Sequence, residues 1–193
     1  KYINQWILKH CAEKIYDLIV KTGHRSESLF YTPTDWQLFR DSVIPVYCVV
    51  ESDLESNPVV LVALDVMTNQ HEKQELNQRL LEAAFQLSVQ TNAELHCCVA
   101  IEIPTLVKDM DLIDVTAKVH QVERDIKERF KGWSELYGLK KKQLHIREGK
   151  SWQVVNNFAR KLKAECIVIG SVGRKGIAGK VIGNTSEKVI RTS

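Results

Sequence analysis

From residue 59 the chain alternates short, continuously apolar runs with longer segments of helical rhythm. "VVLVALDV" (59–66), "ELHCCVAI" (94–101), "KQLHIREG" (142–149) and "ECIVIG" (165–170) have the length and β-branched content of buried strands. Between them, 70–91 carries a stripe of Leu76, Leu80, Ala83, Ala84 and Leu87. The segment 112–137 carries Leu112, Val115, Val119, Val122, Ile126, Phe130, Trp133 and Tyr137, and a third helical segment spans 151–163. The long stripe fits a coiled-coil seam or a helix lying on a sheet; three heptads favour the sheet. The order β-α-β-α-β-α-β-loop-α predicts a doubly wound parallel sheet with helices on both faces, because strands that are apolar throughout must be covered on both sides. The strands are expected near 59–65, 95–101, 143–147 and 165–170.

The 193 residues suffice for one large domain or one domain plus a fragment. An apolar fraction of 44% with 26% charged residues excludes a disordered chain. No apolar run is long enough to span a membrane, and a net charge of +3 gives no reason to expect nucleic acid. The N-terminus reads as an amphipathic helix, with no h-region or cleavage site of a signal peptide. It does not begin with Met, so the expectation is a chain that continues a longer protein. Five irregularly spaced cysteines (Cys11, Cys48, Cys97, Cys98 and Cys166) suit small buried hydrophobes in a reducing cytoplasm. His96 beside Cys97 and Cys98 leaves a metal reading open, although neighbouring strand residues point to opposite faces.

The chain also repeats itself. "TPTDWQLFRDS" (32–42) aligns with "GNTSEKVIRTS" (183–193), placing Leu38 on Val189, Phe39 on Ile190 and Arg40 on Arg191. "YDLIVKTG" aligns with "AECIVIGS", and a helix at 3–15, with stripe Ile3, Trp6, Ile7, His10 and Cys11, aligns with 151–163. Residues 1–50 therefore read as the C-terminal half of a first copy, 51–57 as a linker, and 58–193 as a second copy. Arg40 is followed by the strand "IPVYCVV" (44–50), whereas the sequence stops soon after Arg191, so the second sheet lacks its last strand as written. An open sheet edge invites pairing, which places "IPVYCVV" at the boundary between copies or between chains. Trp6 and Trp36 are expected to pack the first copy, and Trp133 and Trp152 to pack helix faces.

Five of the nine glycines fall within residues 170–183, in "GSVGRKGIAGKVIG". Gly170 ends a strand at the sheet edge where doubly wound folds bind ligands. Gly173 allows a turn with bare amides, and Gly183 precedes a helix whose first residues are Asn184 and Thr185. A helix N-terminus attracts phosphate, and Arg174, Lys175 and Lys180 add positive charge. The alternative is a long linker loop. The pattern is not a Walker motif, since no Gly-Lys-Ser/Thr follows.

This spacing resembles the nucleotide loop of the universal stress protein family. The resemblance covers 58–193, with "VLVALDV" as the first strand ending in Asp65, "HIREGKSWQVV" as the third strand, and "AECIVIGSVGRKG" as the fourth strand and loop. Residues 1–50 and "FYTPTDWQLFR" resemble the tandem, two-domain members. The resemblance implies ATP, with or without magnesium, as ligand. Asp65 would contact the nucleoside, and backbone near Val99 and Ala100 the adenine. Gly170, Gly173 and Gly183, with Arg174, Asn184 and Thr185, would lie at the phosphates. Asn184 stands where the family carries Ser or Thr, and Val66-Met67-Thr68 replaces a small Gly-Ser pair. In the first copy Thr22, Arg25 and Thr32 replace the loop glycines, so that copy is expected to bind no nucleotide.

The resulting expectation is a cytoplasmic, non-catalytic, adenine-nucleotide-binding stress protein with intramolecular or homodimeric domain pairing. No catalytic and no metal residues are assigned. Two alternatives stand beside it. One is an interaction or apolar small-ligand protein, suited by Phe30, Tyr31, Trp36 and Phe39. The other is an ATP-hydrolysing enzyme, disfavoured because "LDVMTNQ" holds no glycine. His120 near Glu123 and Asp125, and Lys140-Lys141-Lys142, read as solvated faces.

Overall fold

The computed structural model describes residues 2–13, 16–22, 33–49, 57–103, 115–171 and 183–192. Contacts divide the chain into two compact units, Lys1–Asp53 with Ser171–Ser193, and Leu54–Gly170.

The first unit holds helix α1 (Tyr2–Glu13), strand β1 (Ile19–Thr22), helix α2 (Pro33–Asp41), strand β2 (Val46–Val49) and, from the far end of the sequence, a terminal helix, Asn184–Thr192. Strands β1 and β2 pair in parallel, from Ile19 opposite Val46 to Thr22 opposite Val49. The run expected at the boundary between copies therefore has β1 as its strand partner. Pro33 opens α2, where its missing N–H costs nothing. The α2 span and the terminal helix coincide under the repeat offset, and the equivalent Leu38 and Val189 are both buried. Arg191 lies 5.2 Å over the Trp36 ring. The α1 stripe is rotated from its expected position. Asn4 is buried and donates to Gln37 Oε1 at 2.8 Å, whereas Ile3 and Trp6 are 65% and 60% exposed. Trp6 stacks on His10 at 3.8 Å, so its packing is local to α1.

The second unit follows the predicted alternation. Strand β3 (Val59–Ala63) leads to α3 (His71–Thr91), β4 (Glu94–Ile101), α4 (Val115–Tyr137), a single 3-10 turn (Lys141–Gln143), β5 (Leu144–Glu148), α5 (Ser151–Leu162) and β6 (Cys166–Val168); the terminal helix is α6. The sheet is parallel, in the order β5-β4-β3-β6. Among the described residues, β6 has β3 as its one strand partner. Val60, Val62 and Leu64 of the β3 segment join Leu95, Cys97, Val99 and Ile101 of β4 against Leu81 and Ala84 of α3 and Ile126 and Phe130 of α4. The long α4 stripe thus covers a sheet face and forms no coiled-coil seam. Helix α5 packs on β4, with Phe158 4.9 Å from the His145 ring on the face shared by His96 and Cys98.

The α3 stripe also differs from its sequence reading. Its buried residues are Asn77, Leu81, Ala84 and Ser88, while Leu76, Leu80 and Leu87 are half-buried and Ala83 is exposed. Two polar residues sit on the inner line because both find backbone partners; Ser88 Oγ donates to Phe85 O at 2.7 Å. This rotation turns Leu76 and Leu80 towards Gly170. A Cβ on Gly170 would lie 2.7 Å from Leu76 Cδ2 and 2.9 Å from Leu80 Cδ1. Gly170 is not among the described positive-φ glycines, which are Gly138 and Gly149. Glycine is therefore favoured here by close approach to α3, where a Cβ would make the two leucine side chains shift. Gly170→Ala is expected to lower stability by about 1–3 kcal/mol through overpacking. Urea denaturation checks this, and an unchanged midpoint would show that the two leucines give way freely.

Across β4 and β5, His96 Nδ1 and His145 Nε2 lie 2.8 Å apart with stacked rings. Glu94 is 3.5 Å from His96 Nε2 and 3.0 Å from Lys142 Nζ. Burial first, then the charges of His96 and Lys161, hold the His145 imidazole below its ordinary pKa. The unfolded chain therefore takes up a proton that the folded chain resists. Stability is full above an imidazole pKa of about 6.5 and falls as pH drops below it. Urea midpoints should decrease between about pH 7.5 and 5.5, and less steeply in His145→Phe. Equal slopes in the two proteins would assign the pH dependence to other groups.

Candidate functional site

Strand β3 lies between β4 and β6, so the chain leaves β3 towards one sheet edge and later returns on the other side. The carboxyl ends of β3 and β6 flank this switch point, where doubly wound sheets take their ligands. Asp65 follows β3 and Gly170 follows β6. The register Val62 opposite Val168 brings these two predicted residues to the ends of neighbouring strands.

Asp65 is held by its backbone. Asn77, buried in α3, accepts from Asp65 N–H at 3.0 Å and donates to Asp65 O at 2.8 Å, continuing the β3 ladder with a side-chain amide. The turn that follows is closed by Thr68 N–H donating to Asp65 O (3.3 Å), Gln70 N–H to Thr68 Oγ1 (3.3 Å) and Gln74 Nε2 to Thr68 O (3.1 Å). Arg129 of α4 donates to Val66 O at 3.1 Å. A loop without glycine has its polar backbone satisfied by four side chains. The Asp65 carboxylate itself stays 57% exposed, with Lys73 Nζ 3.5 Å from Oδ2.

Val99 and Ala100 belong to the interior of β4, paired with Ile146 and Arg147 of β5. The ladder towards β3 ends earlier, at Ala63 opposite Cys98, with Leu64 N–H donating to Cys98 O at 3.0 Å. Val99 is buried and Ala100 half-buried. Beyond β4, Glu102 accepts from the Ser151 N–H, which places a carboxylate at the α5 N-terminus.

Gly183, Asn184 and Thr185 lie in the other unit, at the start of α6. Glu187 N–H donates to Gly183 O at 3.0 Å, and Gly183 N–H donates to Ser171 Oγ at 3.3 Å. One amide expected to face a phosphate thus has a hydroxyl partner. Asn184 is exposed and Thr185 half-buried. Gly173 and Arg174 lie outside the described residues.

The profile of the universal stress protein family matches residues 58–193. This chain belongs to the universal stress protein family. A universal stress protein E homolog of Haemophilus influenzae is 32% identical over 181 residues, covering 91% of this chain and 59% of the relative. A crystal structure of a functionally unknown protein from Pseudomonas aeruginosa PAO1 is 28% identical with a TM-score of 0.78, over 98% of this chain and 64% of the other. A structure from Pseudomonas aeruginosa UCBPP-PA14, assigned to the universal stress proteins, is 30% identical with a TM-score of 0.76, over 96% and 63%. The chain spans about three fifths of the length of these relatives.

Other sequence readings resolve differently. Among the described residues no group of three or more His, Cys, Asp or Glu could hold a metal, and no helix is long and apolar enough to cross a membrane. None of the five cysteines is in a disulfide; Cys97 faces the α3–α4 core, and burial pushes the Cys98 thiol up to about 12 and Cys166 to about 11. Sequence reasoning missed Asn77, Gln74, Arg129 and Lys73. Asn77 carried a usable signal, since it shares the helical spacing of Leu81, Ala84 and Ser88 and a polar residue on a buried line needs a partner. Asn77→Ala should leave the Asp65 N–H unpaired and take from Asp65 O one of its two donors, at a cost of about 1–3 kcal/mol. Chemical denaturation checks this, and a loss below about 0.5 kcal/mol would mean that water replaces the amide.

Proposed function

We propose that this chain carries the ligand-binding part of a non-enzymatic, cytoplasmic stress-response protein. It binds an adenine nucleotide, ATP bare or as its magnesium complex, at the carboxyl edge of the four-stranded sheet. The observation that carries this reading is the exposed carboxylate of Asp65, whose backbone Asn77 anchors at the β3–β6 switch point with Gly170 at the neighbouring strand end. An exposed carboxylate there suits ribose hydroxyl donors, and the glycine-rich segment that follows supplies amides for phosphates. Family membership supports the stress-response role. The matching helix boundaries of α2 and α6, and the order helix, strand, helix in both halves of the repeat, support two copies of the domain in one protein. The copy that contributes α1 to β2 binds no nucleotide, since Thr22, Arg25 and Thr32 stand at its glycine positions.

Calorimetric titration of ATP tests the assignment. The wild-type protein should bind. Gly173→Val should abolish binding while leaving the fold intact, because β-branching hinders the backbone approach to phosphate. Asn184→Ser should preserve or strengthen binding. No heat of binding at about 1 mM ATP, a concentration that detects affinities of about 4 kcal/mol, would sink the nucleotide reading. Binding unchanged in Gly173→Val would place the phosphates elsewhere.

A further inference from the structure

Lys73 stands in the first turn of α3, the positive end of the helix dipole, where a cation is disfavoured. Its ammonium is 3.5 Å from Asp65 Oδ2, and the two side chains are 35% and 57% exposed. An ion pair this open contributes about 0–1 kcal/mol, so stability does not account for the placement. The pair stands at the ligand edge of the sheet, and Asn77 anchors the backbone from which its acidic member projects.

We propose that Lys73 is a specificity-determining residue at the Asp65 end of the crevice, selecting a phosphorylated adenine nucleotide over the free nucleoside. The inference rests on the nucleotide reading above and adds the discrimination step. Asp65 alone accepts from sugar hydroxyls and repels a nearby phosphate. A ligand without phosphate must draw the carboxylate away from Lys73, at a cost limited by the weakness of the exposed pair. A ligand with phosphate beside its ribose gives Lys73 a new anion while its hydroxyls take the carboxylate. A phosphate carries more negative charge than the carboxylate and offers more acceptor oxygens, so at the same exposure it holds the ammonium more strongly than the pair it replaces. The shared chemistry is a ribose-linked phosphate, whether at the 5′ or the 3′ position.

The test is calorimetric titration of adenosine, adenosine 5′-phosphate and adenosine 3′-phosphate into the wild type, Lys73→Met and Lys73→Arg, with thermal unfolding of each protein as a fold control. The wild type should bind at least one monophosphate about tenfold more tightly than adenosine, a difference of about 1.4 kcal/mol. Lys73→Met should reduce that preference to about twofold or less and leave adenosine binding equal or slightly tighter, since the carboxylate is freed. Lys73→Arg should restore the preference, and the position of the preferred phosphate names its source. A preference that survives Lys73→Met, or a wild type that binds adenosine and both monophosphates equally, overturns the role of Lys73 while the nucleotide reading stands. A wild type that binds ATP and none of these three also overturns it. A wild type that binds neither adenosine nor any of the nucleotides overturns both.

Discussion

Strand β3 is hydrogen-bonded along both edges and buried on both faces, and the architecture of the second unit depends on this. Val59 to Val62 are all buried, and the ladders to β4 and β6 leave no edge of the strand to water. A strand covered in this way must have helices above and below it, which α3, α4 and α5 provide. It also creates the switch point, because the chain moves out from β3 to β4 and β5 and comes back at β6. The position of Asp65 beside the end of β6 is thus a consequence of sheet order.

The loop after β3 shows how a sequence without glycine can still make a tight turn. Val66-Met67-Thr68 cannot rely on backbone freedom. Its polar groups are taken instead by Asn77, Gln74, Thr68 and Arg129, from two helices and the loop itself. The backbone of such a loop is ordered before any ligand arrives, although the Asp65 side chain itself stays exposed. The glycine after β6 has a role of the opposite kind. Leu76 and Leu80 of α3 reach into the space that a Cβ on Gly170 would take. One helix therefore sets both strand ends, through a polar residue on one and an apolar contact on the other.

The opposite face of the sheet carries the His96–His145 pair with Glu94 and Lys142 at its margin. Burial there holds the His145 imidazole below its ordinary pKa, which gives this region a defined pH response. The thiols behave differently. Cys97 and Cys98 are buried on opposite faces with raised pKa values, so they are poor nucleophiles and act as small apolar fillers.

Sequence alone determined the elements and their class. Continuous apolar runs at 59–65 and 94–101 suit strands covered on both faces, as β3 and β4 are, and the alternation of such runs with helical stripes leaves a parallel, doubly wound sheet as the consistent outcome. The repeat placed α2 and α6 correctly, because helix capping and spacing are local properties. Of the candidate site, the placing of Asp65 and Gly170 at neighbouring strand ends was legible, because each follows directly from a strand end. Which face of a helix turns inward was not legible. The stripes of α1 and α3 are each rotated, with Asn4 and Asn77 inside, because a buried amide is tolerated only where a partner waits across the fold. The reason for Gly170, the clamp on Asp65 and the reach of Lys73 were decided by tertiary structure, since each depends on residues brought together from separate elements, and spacing along the chain carries no record of that approach.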